Sequence, residues 1–406
     1  MKPGHPLWQC GLRPFFTAAA WVALLSIGTW AAALALALPI TPAWHAQAML
    51  EHMGLAAVAG FLLTAVPEFT ATPQVPPRTT RRLFGAWALG LAGSLAPGAL
   101  GHALALAGAL TLIGGLLATV WPRLRADPQR AHRSFAAALL ALGAGVAAHH
   151  LAALLGRPAA SFLHALLGIY MALLVLAMSR ISMRIVNAAL DDERARAGRD
   201  GRRATAAVYL ARPPHRQLAL ALIAAHTLAQ MAWPGHRAAG WLALAAAAAV
   251  LQLMGDWHVG RALLRRRPLM LYAVYAAMAA GYALWGVAVL ADAPAWASAA
   301  RHVLGIGAFG LAILTVFVIA GRAHCGLWPD ERPWVPAAAL ALLGAAAARA
   351  LSALGIGDAP TGLLLAAALW MLAFGAVLMR LAPAWRRERA DGRRGCQGPD
   401  HTVEGC

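Results

Sequence analysis

The sequence predicts an all-α protein: a polytopic membrane bundle of about 12 transmembrane helices with both termini in the cytoplasm. Of its 406 residues, 61% are hydrophobic and only 12% are charged, whereas a soluble domain carries about a quarter charged residues. Long apolar runs such as GALTLIGGLLATVW approach the roughly 20 residues that a helix needs to cross a bilayer. They also exclude a transmembrane barrel, whose strands alternate apolar and polar residues.

Apolar stretches of this kind recur along the whole chain and predict twelve spans. Many contain glycine or alanine, which lets helices pack closely inside a bilayer. The spans lie near residues 15–39, 46–66, 82–96, 99–120, 133–154, 160–186, 215–233, 238–262, 268–290, 297–320, 333–354 and 360–382.

The formal net charge of +18 is concentrated in the loops on one side of this arrangement. All but four of the 34 Lys and Arg residues fall on that side, the exceptions being Arg157, Arg237, Arg301 and Arg349. Because cytoplasmic loops are enriched in Lys and Arg, this bias predicts an even number of spans and an N-terminus inside. The basic surplus therefore indicates topology, with contact to anionic lipid as a second interpretation. We expect no nucleic-acid partner.

The distribution of polar segments predicts the domain organisation. Residues 1–384 form a transmembrane domain of two six-helix halves, which a cytoplasmic linker at about 187–214 joins. The Arg- and Gly-rich tail at 385–406 has the composition of a disordered segment. The four cysteines lack CxxC spacing and all fall on the cytoplasmic side, so no disulfide is expected; they are Cys10, Cys325, Cys396 and Cys406.

The histidines are the most informative polar residues, because an ionisable side chain within a membrane is a candidate for function. The predicted topology places more than half of the 15 histidines in the outer half of the membrane or at its outer surface. These are His45, His102, His149, His150, His164, His226, His236 and His302, while His52 lies deeper.

The second span carries the sharpest local pattern, WHAQAMLEHMG. His45, Met49 and His52 are spaced i, i+4, i+7, so in an α-helix their side chains share one face. Two imidazoles and a thioether suit haem iron or copper, and Glu51 would orient one of the ligands. The alternative is a polar helix entrance followed by one hydrogen-bonded buried histidine.

The other histidines are weaker candidates. His149 and His150 are neighbours, and neighbours on a helix point about 100° apart, which favours two interfacial residues over two ligands of one site. His164 and His226 are each compatible with a buried, hydrogen-bonded histidine. Arg349 within the eleventh span pairs with a haem propionate or extends towards the membrane surface. The chain has no CxxCH, so any haem is bound non-covalently.

Three segments resemble the NnrS family of bacterial membrane proteins: GLRPFF, WHA with AGFLLTAVP, and HVLGIGAFGLAILTVFVIAGRAHCG. The resemblance implies a twelve-helix inner-membrane protein that carries haem and copper and responds to nitric oxide. His45, Met49, His302 and His324 match motif positions of the family. Gln47 replaces a histidine that the family usually has, which puts copper binding in question unless His52 substitutes.

The residues and the resemblance together predict a haem- and copper-binding protein of the bacterial inner membrane that acts in resistance or response to nitric oxide. Its expected partners are the lipid bilayer and nitric oxide. The ligand candidates are His45, Met49, His52 and His302, with His149, His150, His164, His226 and His324 as weaker ones. The alternative is a secondary transporter with an outer-facing, histidine-lined pathway. No catalytic residue and no oligomeric state are assigned from the sequence.

Overall fold

The computed structural model describes residues 5–127, 132–199 and 208–396, which contain twelve long helices and no strand. Of two short 3₁₀ helices, Pro6–Trp8 precedes the first long helix and Arg261–Leu264 lies between the eighth and the ninth. In chain order the long helices are α1 Leu12–Ala35, α2 Pro42–Phe69, α3 Pro77–Gly93, α4 Gly98–Ala126, α5 Ser134–Leu154, α6 Ala160–Arg199, α7 Pro213–Ala232, α8 Arg237–Gly255, α9 Arg266–Leu290, α10 Pro294–Ala323, α11 Trp334–Ala353 and α12 Ala359–Trp385.

The architecture confirms the all-α membrane class, and each of the twelve predicted spans overlaps one helix. In the described ranges, ten helices are long and apolar enough to cross a membrane. The remaining two are α3, which has only 17 residues, and α7, whose first turn contains His215, Arg216 and Gln217. Twelve crossings and the N-in, C-in topology therefore stay predictions.

Helices α2 and α10 each contain a π-helical segment, in which hydrogen bonds run from residue i to i+5 and the turn is wider than in an α-helix. The segments are Ala48–Met53 in α2 and Val303–Gly310 in α10. Each begins shortly after a histidine that the sequence singles out, His45 or His302. Such π segments often occur at functional sites. Helix α2 is also the most buried of the described candidate spans, since 89% of an 18-residue apolar stretch within it is buried.

The chain forms two compact units. The first comprises Met1–Leu166, Val316–Ala338 and Met371–Cys406, and the second comprises Leu167–Thr315 and Ala339–Trp370. Four helices, α6, α10, α11 and α12, each contribute residues to both units. The division into two six-helix halves stays a prediction.

Glycine allows the helices of the first unit to approach closely. In α2, a Cβ atom on Gly60 would lie 2.7 Å from the ring of Phe16 in α1. Between α3 and α4 the contact is backbone against backbone, since a Cβ on Gly108 would lie 2.3 Å from the Gly90 nitrogen. This packing of small residues is the arrangement expected where helices associate without a hydrophobic driving force.

The structure describes the C-terminal tail, for which the sequence predicts disorder, as far as residue 396, and this part makes hydrogen bonds with the rest of the first unit. Arg389 is buried and donates hydrogen bonds to the Asp391 carboxylate and to the His324 carbonyl oxygen. The hydrogen bond from Arg389 lowers the pKa of Asp391 to about 2. The Ala390 nitrogen donates to the Cys325 carbonyl oxygen at 3.0 Å. The basic tail therefore finds carboxylate and carbonyl partners. Residues 397–406, including Cys406, lie outside the described residues.

Two further predictions about polar segments differ from the structure. Helix α6 continues to Arg199, so the predicted linker begins as helix, and Tyr209 beyond it is buried with its backbone bonded to the Asn187 side chain. Residues 200–207 of that linker lie outside the described residues.

The structure also joins Cys10 to Cys396 by a disulfide, although none was expected. Sequence spacing gave no sign of this pair because the tail returns to the N-terminal segment only in the folded chain.

The contact between α3 and α4 predicts a large effect of one substitution. Gly108→Leu would force the two backbones apart, because its side chain meets the Gly90 nitrogen and the Ala86 carbonyl oxygen. Overpacking of this kind costs roughly 1–3 kcal/mol or more. We expect a lower Tm in detergent. Gly114→Leu on the same helix is the control, since nothing lies within 4 Å of its Cβ. Equal Tm values for the two variants would contradict the packing.

Candidate metal centre

The π segment of α2 carries a buried carboxylate that faces a histidine of α5. Glu51 is completely buried, and both of its carboxylate oxygens lie 3.0 Å from the Nε2 atom of His150. The two residues are 99 positions apart in the chain. A buried carboxylate in a membrane protein needs such a partner, because an unpaired charge at this depth is costly.

Three histidines converge beside this pair. His102 lies near the start of α4, while His149 and His150 lie near the end of α5. The Nδ1 atoms of His102 and His150 are 3.0 Å apart. One ring nitrogen from each of the three histidines lies within 4.8 Å of the other two. The group has the composition and compactness of a metal site.

Hydrogen bonds indicate which nitrogen each ring offers. His149 donates from Nδ1 to the Ala159 carbonyl oxygen at 3.1 Å, which leaves its Nε2 as the ligand atom. His150 donates from Nε2 to Glu51, which leaves its Nδ1. Two imidazole nitrogens at 3.0 Å require a proton or a cation between them. A histidine whose second ring nitrogen donates to a carboxylate or carbonyl is the usual metal-ligating arrangement.

The structure thus brings together two neighbouring histidines that the sequence predicted to point apart. The rings of His149 and His150 have centroids 4.9 Å apart and an interplanar angle of 65°. Both reach the group because each uses a different ring nitrogen. His102 was not among the predicted ligands. Its place among the histidines of the outer half of the membrane was a signal, but it did not distinguish His102 from an interfacial histidine.

A cavity of about 520 Å³ lies on another side of the same π segment, among α1, α2 and α3. Apolar side chains make up most of its lining, five of them aromatic, and His52 lines it as well; the aromatic residues are Trp8, Trp21, Trp44, Phe84 and Trp87. The Nε2 atom of His52 is buried and has no hydrogen-bond partner among the described residues. A buried ring nitrogen without a partner costs free energy unless a ligand binds it.

The other predicted ligands of the first unit have different surroundings. His45 stacks on Trp30, with ring centroids 5.2 Å apart and an interplanar angle of 16°. Met49 is half-buried within the π segment. Because that segment departs from the α-helical repeat, the shared face inferred for His45, Met49 and His52 does not hold. His164 is half-buried in α6 and does not belong to the three-histidine group. Their roles as ligands stay predictions.

The second unit contains two more of the predicted ligands. His302 contacts the Ser298 carbonyl oxygen at 2.8 Å through Nδ1. His226 is buried and contacts the Ala239 carbonyl oxygen at 3.0 Å, with Trp285 edge-on to its ring. Neither belongs to a group of three metal-ligating side chains among the described residues.

Two further predicted residues also have partners. Arg349 donates to the Ser298 hydroxyl at 3.1 Å, which gives this cation a protein partner. His324 follows the end of α10 in the first unit and groups with Cys10 and Cys396.

Fold and site together define a multi-pass helical membrane protein with a buried carboxylate–histidine cluster suited to a metal ion. The chain belongs to the NnrS family, whose model, described as "NnrS protein", matches residues 6–389. This match confirms the resemblance that the sequence motifs indicated. No curated protein matches the chain.

Removal of one cluster histidine should remove the metal. We expect purified His149→Ala to contain much less copper or other bound transition metal than the unsubstituted protein, because one of three convergent ligands is missing. Elemental analysis of protein purified in mild detergent measures this. His164→Ala removes a half-buried histidine outside the cluster and should retain the metal. Equal metal contents in the two variants would exclude the cluster as the site.

The Glu51 carboxylate should affect the cluster through His150. Glu51→Gln keeps the size of the side chain but removes the charge that orients the His150 ring. Loss of such a partner typically weakens metal affinity 10- to 100-fold. Competition with a chelator of known affinity measures the change. An unaltered affinity would mean that Glu51 does not act on the ligand.

Proposed function

We propose that this protein is a haem- and copper-binding protein of the bacterial inner membrane that acts in resistance or response to nitric oxide. The observation that carries the proposal is the adjacency of Glu51 and His52 in the π segment of α2. Glu51 contacts the three-histidine cluster, and His52 lines the aromatic cavity. One turn of helix therefore connects a candidate copper site with a candidate haem site.

The cavity suits haem in its size and in its lining. Ligand sites commonly enclose about 300–1,000 Å³ and are lined by apolar and aromatic side chains. His52 offers a buried imidazole nitrogen of the kind that serves as an axial haem ligand. Arg386 also lines the cavity, and its guanidinium is a suitable partner for a propionate. His52 would hold the iron, and Arg386 would hold a carboxylate.

The cluster suits copper because imidazole nitrogens are common ligands of that metal. His102, His149 and His150 would hold the ion, and Glu51 would orient His150. In this proposal α4 and α5 supply three histidines in place of the one that Gln47 replaces in α2.

Nitric oxide fits this location because it is small and uncharged and dissolves in lipid. When bound, haem iron and copper supply redox-active centres that coordinate nitric oxide. The chain's own contribution is to place both ligand sets within a buried environment. Glu51 is the acid–base group beside them, and its carboxylate can accept a proton from His150 or return it.

A secondary transporter, the alternative from the sequence, is not favoured. Family membership supports a protein of the nitric oxide response rather than a carrier. In addition, three of the histidines expected to line a pathway converge on one another.

The test is the absorption spectrum of the purified protein, oxidised and dithionite-reduced, with iron and copper measured on the same sample. We expect a Soret band that shifts on addition of nitric oxide. His52→Ala should lose most of the band, whereas His45→Ala, the other histidine of α2, should retain it because His45 stacks on Trp30.

Three results would contradict the proposal. Absence of both a Soret band and stoichiometric metal would favour the transporter. A band that does not respond to nitric oxide would remove the proposed ligand. Loss of the band in His45→Ala but not in His52→Ala would move the haem site to the entrance of α2.

A further inference from the structure

A second group of side chains that could bind a metal lies in the first unit, near the C-terminal end of α2. Its members come from three distant parts of the chain. Cys10 precedes α1, His324 follows α10, and Cys396 lies in the C-terminal tail. Cys10 and His324 are buried, Cys396 is half-buried, and one ligand atom from each lies within 4.8 Å of the other two. In the predicted topology this end faces the cytoplasm.

The surrounding contacts fix the position of each member. Cys396 Sγ lies 3.9 Å from His324 Nδ1, and the Thr64 hydroxyl lies 3.6 Å from Cys396 Sγ and 3.8 Å from Cys10 Sγ. The Cys396 nitrogen donates to the Gln74 side-chain oxygen at 2.7 Å. The tail reaches this position through Gly395, whose φ of +85° favours glycine.

His324 has the environment of a metal ligand. Its Nε2 atom lies 3.5 Å from a carboxylate oxygen of Glu68, so the ring can donate there and direct Nδ1 towards the two sulfurs. Nδ1 also lies 2.7 Å from the Cys396 carbonyl oxygen, a contact that a metal ion would replace. Arg13 and Arg389 both donate to the His324 carbonyl oxygen, which holds its backbone in place.

Two sulfurs and an imidazole select a soft or borderline metal ion. Thiolates prefer Cu⁺ and Zn²⁺ among the common ions, and two cysteines with one histidine also form a known zinc ligand set with one open position.

The structure joins the two cysteines as a disulfide, yet a disulfide alone leaves the other features unexplained. It needs no imidazole beside the sulfurs and no carboxylate behind that imidazole. The cytoplasm, where the predicted topology places this end of the helices, also keeps thiols reduced.

We propose that Cys10, His324 and Cys396, in their reduced form, bind one Zn²⁺ or Cu⁺ ion and thereby fasten the C-terminal tail to the N-terminal segment. This site shares no residue with the three-histidine cluster, so the proposal does not depend on the proposed function. It gives a role to cysteines for which the sequence offered none.

The experiment uses the full-length protein, purified anaerobically with a phosphine reductant and then titrated with Zn²⁺ or Cu⁺ against a chelator. Co²⁺ serves as a spectroscopic probe, because only a site containing sulfur gives a thiolate-to-cobalt charge-transfer band. The three-histidine cluster contains no sulfur, so the band does not arise from that cluster, and cysteine variants assign it to one site. We expect the band in the unsubstituted protein and its displacement by the metal that binds more tightly.

Cysteine variants locate the site. Cys10→Ser and Cys396→Ser should lose the cobalt band and bind the metal at least tenfold more weakly. Cys325→Ser is the matched control, because the Cys325 thiol is adjacent to His324 in the chain but contacts the Ala384 carbonyl oxygen instead. This variant should retain the band. If the first two variants fail to fold, the unsubstituted protein provides the readout: bound Zn²⁺ should slow alkylation of Cys10 and Cys396.

Three outcomes would overturn the proposal. The first is a Cys10–Cys396 disulfide in peptides from cells that are alkylated before lysis. The second is a fully reduced protein that gives no cobalt band. The third is metal binding that Cys10→Ser leaves unchanged. The first of these would identify the pair as a covalent clamp on the tail.

Discussion

The interaction between Glu51 and His150 is the constraint on which the arrangement of the first unit depends. A carboxylate at the centre of a membrane helix costs about 2.5–3.5 kcal/mol even on the most permissive scale. Both Glu51 oxygens contact His150, so this cost is offset by a partner on another helix. The pair fixes α2 against α5, and it leaves the second nitrogen of His150 directed at His102. The same contact therefore provides the Glu51 carboxylate with a partner and orients the His150 ring as a ligand.

The wider turn of α2 changes the directions in which its side chains point. In a regular α-helix, residues 51 and 52 would keep the register inferred from the sequence, with His45, Met49 and His52 on one face. The π segment Ala48–Met53 changes that register. Glu51 then faces the histidine cluster, while His52 lines the aromatic cavity. Because neighbours on a helix point about 100° apart, these two adjacent side chains reach two different candidate cofactor sites.

The helices could be predicted from the sequence because each apolar run near 20 residues is a strong local signal. Every predicted span overlaps a helix, and only two of those helices fall short in length or hydropathy. The sites depend on contacts between residues far apart in the chain, which spacing does not encode. Glu51 and His150 are 99 residues apart, and Cys10 and Cys396 are 386 residues apart. The neighbours His149 and His150 were misjudged for a related reason, since helix geometry alone does not tell which ring nitrogen each residue offers.

In the proposed site, histidines of α4 and α5 hold a copper ion beside Glu51. Electron paramagnetic resonance of the oxidised, copper-loaded protein tests it directly, because imidazole nitrogens produce a characteristic hyperfine pattern on Cu²⁺. The structure predicts coupling to several imidazole nitrogens, with fewer in His102→Ala. A copper signal without imidazole coupling, or one that His102→Ala leaves unchanged, would contradict the account.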